Sequence, residues 1–273
     1  MLTFTEKDHK YSSVDIFDQT KWVSASTIPA LFKKKFDEKA TALKCSGNKK
    51  SKWYGIPPAQ ILDIWKTENV RSTTEGTWYH NKDEQRLLSL EFEHLFGKDL
   101  PIFRSVWQDG VKQAPDQKLA EGIYPEHLAY LSSVGACGQF DKIIIVDGYC
   151  HVDDHKTNKD LLKPAFTNWE GITEKFLPPL LHLDCHKLNE YALQLSIGMY
   201  MILRHNPHLK PGKQILNHVV FEVAGENEWG YPITKLDENG EPIIKEVNKI
   251  EVPYLKREVE LMFEFLKRRP KNV

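Results

Sequence analysis

The chain has few cysteines, no long apolar run and no excess charge of either sign, and each shortage removes a class of protein. Its four cysteines, Cys45, Cys137, Cys150 and Cys185, form no C-x-x-C pair and no disulfide-framework spacing among 273 residues, which suits a reducing compartment. No stretch approaches the roughly 18 consecutive apolar residues of a membrane span. The opening MLTFTEKDHKY has neither the apolar centre of a signal peptide nor the arginine-rich character of a transit peptide. A cytoplasmic protein without membrane contact is therefore expected. With 37 Lys and Arg against 38 Asp and Glu the net charge is −1, so attraction for a polyanion has to come from local clusters or a bound cation. There is no internal repeat, no low-complexity tract and no evident Ser, Cys or His triad. What remains, 41% hydrophobic and 27% charged, is the composition of a soluble globular chain long enough to bury a sizeable core.

What is present centres on the run GQFDKIIIVDGYCHVDDHKTNK. Asp147-Gly148 separates two β-branched, apolar segments, a two-residue hairpin signal because both central residues of such a turn need positive φ. The turn fixes the register: Val146 faces Tyr149, Ile144 faces His151 and Asp141 faces Asp154. Side chains alternate along a strand, so Asp141, Asp154 and Lys156 share a face. Like charges directly opposed across strands are destabilising, and a divalent cation between the two carboxylates would relieve them. Asp-x-Lys also begins at Asp8, Asp37 and Asp116, but only Asp154 follows a hairpin that supplies a second aspartate. The plain alternative is an exposed sheet edge with polar ends. If Ser132–Gly135 forms a four-residue hairpin loop, Leu131 faces Ala136 and Glu126 joins the same acidic cluster.

Around this run the periodicities predict further elements. Ser24 or Ser26 caps a helix through Ile28, Leu31 and Phe32, with Lys33, Lys34 and Lys35 on its outer side. Residues 45–55 read as a mobile basic loop, and Pro57-Pro58 opens a helix through Ile61, Leu62 and Trp65. Thr73 or Thr74 starts another helix, through His80 and Leu87 to Leu95 and a stop at Gly97. Residues 101–107 read as a strand and 109–122 as a loop. Leu188–Leu203, apolar on nearly all faces, is a buried helix, and Gln214–Val223 is a strand. Gly225–Val247 looks like a surface excursion with Asn239-Gly240 at a hairpin tip. Pro253 opens an amphipathic helix ending in Lys267-Arg268-Arg269. His182, Cys185 and His186 lack a partner pair at zinc spacing and are read as structural.

Asp141 closing GQFD, followed by Asp154-His155-Lys156 on the next strand, resembles the PD-(D/E)XK nuclease superfamily. Gly76-Thr77-Trp78-Tyr79-His80 upstream resembles the histidine motif of its RecB-like branch, and the helix around Gln194 resembles that branch's glutamine helix. The HKY segment at His9 and WVSAST at Ser24 extend the likeness toward exonucleases of the mitochondrial genome maintenance type and their phage relatives. The resemblance implies an α/β fold with a restriction-endonuclease-like αβββαβ core, a mixed central sheet flanked by helices. Residues 1–70 would be a helical, DNA-contacting extension and residues 71–273 the nuclease core with a carboxyl-terminal helix. It implies Mg²⁺ or Mn²⁺ held by His80, Asp141 and Asp154, with Glu126 in the acidic cluster and Lys156 as the catalytic lysine. Glu84 would orient His80. No iron–sulfur cluster is expected, because no cysteine follows Cys185. DNA contacts are expected from Gln194, Thr157, Lys49, Lys50, Lys52 and Trp53, with lysines tracking phosphates and aromatic faces stacking on bases; the alternative is a solvated helix face. The family's tyrosine four residues after the glutamine is Gly198 here.

The expected activity is metal-dependent hydrolysis of DNA phosphodiesters from single-stranded ends, in a bacterial or phage-infected cell. Three other readings stay open: an exonuclease on duplex ends or an endonuclease, a nucleic-acid-binding module on a nuclease fold, and an interaction protein using residues 225–247.

Overall fold

Asp147 and Gly148 both take positive φ, 51° and 76°, the left-handed pair that a tight hairpin needs. The register follows as expected: Tyr149 pairs with Val146 and His151 with Ile144. Leu131 likewise pairs with Ala136.

In a computed structural model, residues 2–5, 7–8, 10–13, 20–113 and 115–268 are described. His9, the turn expected toward Asp15 and the helix end at Arg269 lie outside the described residues. In chain order the elements are β1 (Leu2–Thr5), β2 (Lys10–Ser13), β3 (Val23–Ser24), a 3-10 turn (Pro29–Phe32), α1 (Glu38–Gly47), α2 (Pro58–Leu88), β4 (Phe92–Leu95), β5 (Lys98–Pro101), β6 (Trp107–Gln108), β7 (Val111–Gln113), β8 (Gly122–Leu131), β9 (Ala136–Val146), β10 (Tyr149–Lys156), α3 (Lys187–His205), β11 (Lys210–Phe221), β12 (Val223–Glu226), β13 (Pro232–Thr234), β14 (Ile244–Val252) and α4 (Lys256–Arg268). The fold is mixed α/β.

The main sheet runs β14-β11-β10-β9, with β10 and β11 parallel and the other neighbours antiparallel. One edge of β9 carries β8 along most of its length. The other edge carries β10 from Lys142 to Val146 and β3 at Ala136 and Cys137. Between those two partners the sheet forks, and Asp141 stands at the fork.

Alternation covers both faces. Ile143, Ile145 and Val152 pack with Leu193, Ile197 and Met201 of α3, and Val259 and Met262 of α4 extend the same cluster. Ile144 and Val146 pack with Ile123 and Leu87, the latter from the end of α2. Gly198 shows how tight the first face is: a Cβ there would lie 2.4 Å from the Phe140 ring. No tyrosine fits at that position, and Tyr200 instead packs edge-on against Phe263 of α4.

Several expected elements differ. The two helices read around Trp65 and His80 are one helix of 31 residues. Thr74 does not cap it; its hydroxyl donates back to the Val70 carbonyl. Arg71, paired with Glu68 and Glu75 at helical spacing, bridges the turns read as a break. The boundary set at residue 70 therefore falls inside a continuous helix. Nor is the amino-terminal part purely helical, since β1 pairs with β7 and β3 joins the main sheet. The helix expected after Ser24 is only the short 3-10 turn, and the first three residues of the supposed loop at 45–55 belong to α1. Phe92–Leu95, read as helix, forms a hairpin with Lys98–Pro101. The 101–107 strand is confined to its ends, and the loop expected at 109–122 contains β7. The outer part of the supposed excursion is the β12–β13 hairpin, but Ile244–Val252 is the edge strand along β11. Among the described residues no helix is long and apolar enough to cross a membrane.

Candidate metal centre

Three ligand atoms converge at the fork in the sheet. One each from His80, Glu126 and Asp141, they lie within 4.8 Å of one another. His80 comes from α2, and its Nδ1 sits 3.2 Å from Asp141 Oδ2. The backbone N–H of His155 donates to the same Oδ2 at 2.6 Å. Glu126 sits in β8 at φ 49°, an uncommon conformation for a residue with a side chain. Its neighbours pair regularly, Pro125 with Lys142 and His127 with Phe140, so Glu126 and Asp141 face each other across a local break in the ladder. The Gln139 amide donates to Glu126 Oε2, and the fully buried Lys112 ammonium donates to the Glu126 carbonyl at 3.0 Å.

The charges report the crowding. Burial, then the facing Asp141, pushes the Glu126 carboxyl up to about 8. Burial works against the charge of His80, but Asp141 outweighs it and carries the imidazole up to about 9. Asp141, also opposed by burial, is held well below the usual carboxylate range by His80 and Lys156. One imidazole with two carboxylates is a donor set that fits a divalent first-row metal.

Asp154, expected as a ligand, lies outside this group of three. It is 3% exposed, and Lys156, two residues along the same strand face, folds back to form an ion pair with its Oδ2. Burial pushes Asp154 up to about 6. Burial also opposes the charge of Lys156, but Asp154 and Asp141 raise its pKa on balance. Glu126, which the Ser132–Gly135 hairpin register also placed in the acidic cluster, is the carboxylate grouped with Asp141 and His80.

Two neighbours, Asp83 and Tyr191, escaped the sequence reading. Asp83 Oδ2 lies 2.9 Å from His155 Nε2, so the helix holds the strand that positions Asp141. His155 and Arg86 keep Asp83 well below the usual carboxylate range despite its burial. The only signal was its place one turn after His80. Glu84, expected to orient His80, adds its charge to the field at Glu126. Tyr191 donates to Asn158 Oδ1 at 2.6 Å, and Lys156 Nζ sits 4.7 Å over its ring; it lies one turn before Gln194 on α3.

The expected DNA contacts divide. Lys49 and Lys50 are exposed. Lys52 is engaged: its Nζ lies 4.7 Å over both Trp53 and Tyr231 and donates to the Trp229 carbonyl at 2.7 Å. Trp53 is 6% exposed, stacked on Trp229 and edge-on to Trp65, so it has no free face for a base. The same aromatic cluster docks the β12–β13 hairpin on the α1–α2 junction. Thr157 lies at the crossing of α2 and the end of β10, its hydroxyl 3.3 Å from where a Cβ on Gly76 would stand. Gln194 is half-buried on α3. His182 bonds Glu258 at 2.8 Å and belongs to no metal-competent group among the described residues.

No protein-family model, curated protein or solved structure matches this chain.

Proposed function

We propose that the chain is a metal-dependent deoxyribonuclease, an exonuclease acting on single-stranded DNA ends, built on a PD-(D/E)XK core. The observation that carries this is the convergence of His80, Glu126 and Asp141 beside the buried Asp154–Lys156 pair. Two further features support it: the order α2, β8, β9, β10, α3, β11, which follows αβββαβ, and the parallel β10–β11 pairing. His80, Glu126 and Asp141 would hold Mn²⁺ or Mg²⁺, the imidazole favouring Mn²⁺. Such a cation polarises a phosphoryl oxygen and lowers the pKa of bound water. Lys156, kept charged between Asp154 and Asp141, would orient the attacking water and offset charge growing on the phosphate. Asp83 and His155 would hold Asp141 in place from behind.

End-labelled single-stranded, duplex and circular DNA, each incubated with Mn²⁺ and then with excess chelator, tests the reading. Single-stranded ends should be shortened progressively, circles left intact and chelator should stop the reaction. Undiminished cleavage in chelator, or no cleavage with Mn²⁺, removes the proposal; cut circles would make the enzyme an endonuclease.

The exposed lysines supply a separate expectation. Replacing Lys49 and Lys50 with Ala should flatten the dependence of log K on log salt for single-stranded DNA by about 1.4, since each phosphate contact contributes ~0.7. An unchanged slope in salt titrations returns both lysines to a solvated surface.

A further inference from the structure

The amino-terminal strands build a cleft that the metal centre does not use. Lys10, Tyr11, Trp22, Ser24, Ser26 and Thr27 line a cavity of about 440 Å³, within the roughly 300–1,000 Å³ of small-molecule sites. Its walls are of two kinds. Tyr11 and Trp22 offer aromatic surface, and each is held from behind: Phe4 lies 4.9 Å from Tyr11 and Tyr130 meets Trp22 edge-on at 5.8 Å. The Trp22 indole N–H is fixed by Ser13 Oγ at 2.9 Å, so both rings are ordered before anything binds, which lowers the entropic cost of stacking. The second wall is hydroxylic. Ser24 Oγ and Ser26 Oγ are 2.8 Å apart, and Thr27 follows with an exposed side chain.

The cleft adjoins the metal centre. Ser24 pairs with Cys137 on β9, two residues before Gln139, whose amide holds Glu126. The Tyr11 hydroxyl touches both the Gln139 backbone and the Ser24 hydroxyl, and it feels the Glu126 charge. Asp8 also lines the cleft and sets one negative charge against the Lys10 ammonium there, so the neighbouring Ser24 and Ser26 hydroxyls are the neutral donors an anion would use.

Aromatic faces, a hydroxyl cluster and one ammonium, set against a divalent-cation site, match the parts of a nucleoside monophosphate. We propose that this cleft binds the terminal nucleotide of the substrate, with the base on Tyr11 and Trp22 and the phosphate at the Ser24–Ser26 hydroxyls and Lys10. This rests on the nuclease reading for its role but not for its binding.

The probes are 5′-dAMP, 3′-dAMP and deoxyadenosine, titrated into the full chain with Mn²⁺-free buffer and followed by the Trp22 indole N–H resonance. At least one monophosphate should shift that resonance, binding at least about tenfold more tightly than deoxyadenosine. Ser26→Trp, which fills the cleft from an exposed position, should weaken that binding at least tenfold. Lys10→Glu should weaken the monophosphate at least fivefold and leave deoxyadenosine unchanged. Melting curves confirm that both variants are folded. Binding that persists in a chain with no nuclease activity upholds the cleft while removing the nuclease reading. If no monophosphate moves the resonance, or if folded Ser26→Trp binds and shortens single-stranded ends as the wild type does, the cleft is not a nucleotide site.

Discussion

Asp141→Asn is expected to lower metal-dependent hydrolysis by about 10³-fold or more and to abolish the stabilisation that metal gives the wild type. Removing one neutral transition-state donor typically costs ~10²–10³ in rate, and Asp141 would anchor the cation itself. The substitution keeps the shape of the fork, because the amide oxygen can still accept from the His155 N–H, a bond of 2.6 Å in the wild type. Bound metal stabilises only the folded chain, by about 2.7 kcal/mol at a hundredfold excess over Kd. At ~2 °C per kcal/mol for a chain of this size, that is a rise of about 5 °C in melting temperature. The mutant should rise by less than about 1 °C. It should also release His80, whose imidazole is held up to about 9 chiefly by Asp141 against the pull of burial, so its NMR titration should move to lower pH. An Asp141→Asn protein that retains both the metal-induced rise and hydrolysis would remove Asp141 from the site.

The second large effect is on stability against pH in the absence of metal. Glu126 has a folded pKa of about 8 against an ordinary value of 4.5, chiefly from burial. Between those values the folded chain keeps a proton that the unfolded chain has lost, so stability falls as pH rises through this range. His80, raised from 6.5 to about 9, acts in the same direction: its contribution is complete below 6.5 and is lost as pH rises through 9. Each unit of difference is worth ~1.4 kcal/mol, so in chelator the melting temperature should drop by several degrees between pH 6.5 and 9. Glu126→Gln removes the carboxylate that faces Asp141 and should melt at least as high as the wild type at pH 8, with a shallower fall. With Mn²⁺ the trend should reverse, since deprotonated ligands bind the metal. A wild type whose metal-free melting temperature is flat over this range, or a variant that falls as steeply, would show that Glu126 is not protonated in the fold.

The chain by itself determined the centre of the sheet. Asp147-Gly148 can only turn tightly, because few residues tolerate positive φ at two successive positions, and the period of two then fixes which residues of β9 and β10 meet. Leu188–Leu203 was equally legible, since a segment apolar on all sides has to be buried. The glycine at position 198, where the resemblance called for tyrosine, became intelligible only when Phe140 was found against it.

Tertiary structure decided the rest, because the forces involved act between residues distant in sequence. Nothing local joined Pro58 to Leu88 in one helix, and the short-range pattern of Thr73 and Thr74 argued for a break. The contacts of Arg71 and Glu75 with Thr234, more than 150 residues away, and the packing of Leu87 on Ile144 and Val146 override it. Ile244–Val252 reads as a polar excursion because an edge strand needs apolar residues only where it is covered. Lys52 and Trp53 looked like a binding surface until Trp229 and Tyr231, nearly 180 residues later in the chain, enclosed them. Above all, the strand register could say that Asp141 and Asp154 share a face, but not which groups their oxygens would meet. Lys156 claims Asp154, while the break in the ladder at Glu126 turns that carboxylate toward Asp141 and His80. Side-chain periodicity sets direction along a strand; the choice of partner depends on which charges can be neutralised once water has been excluded.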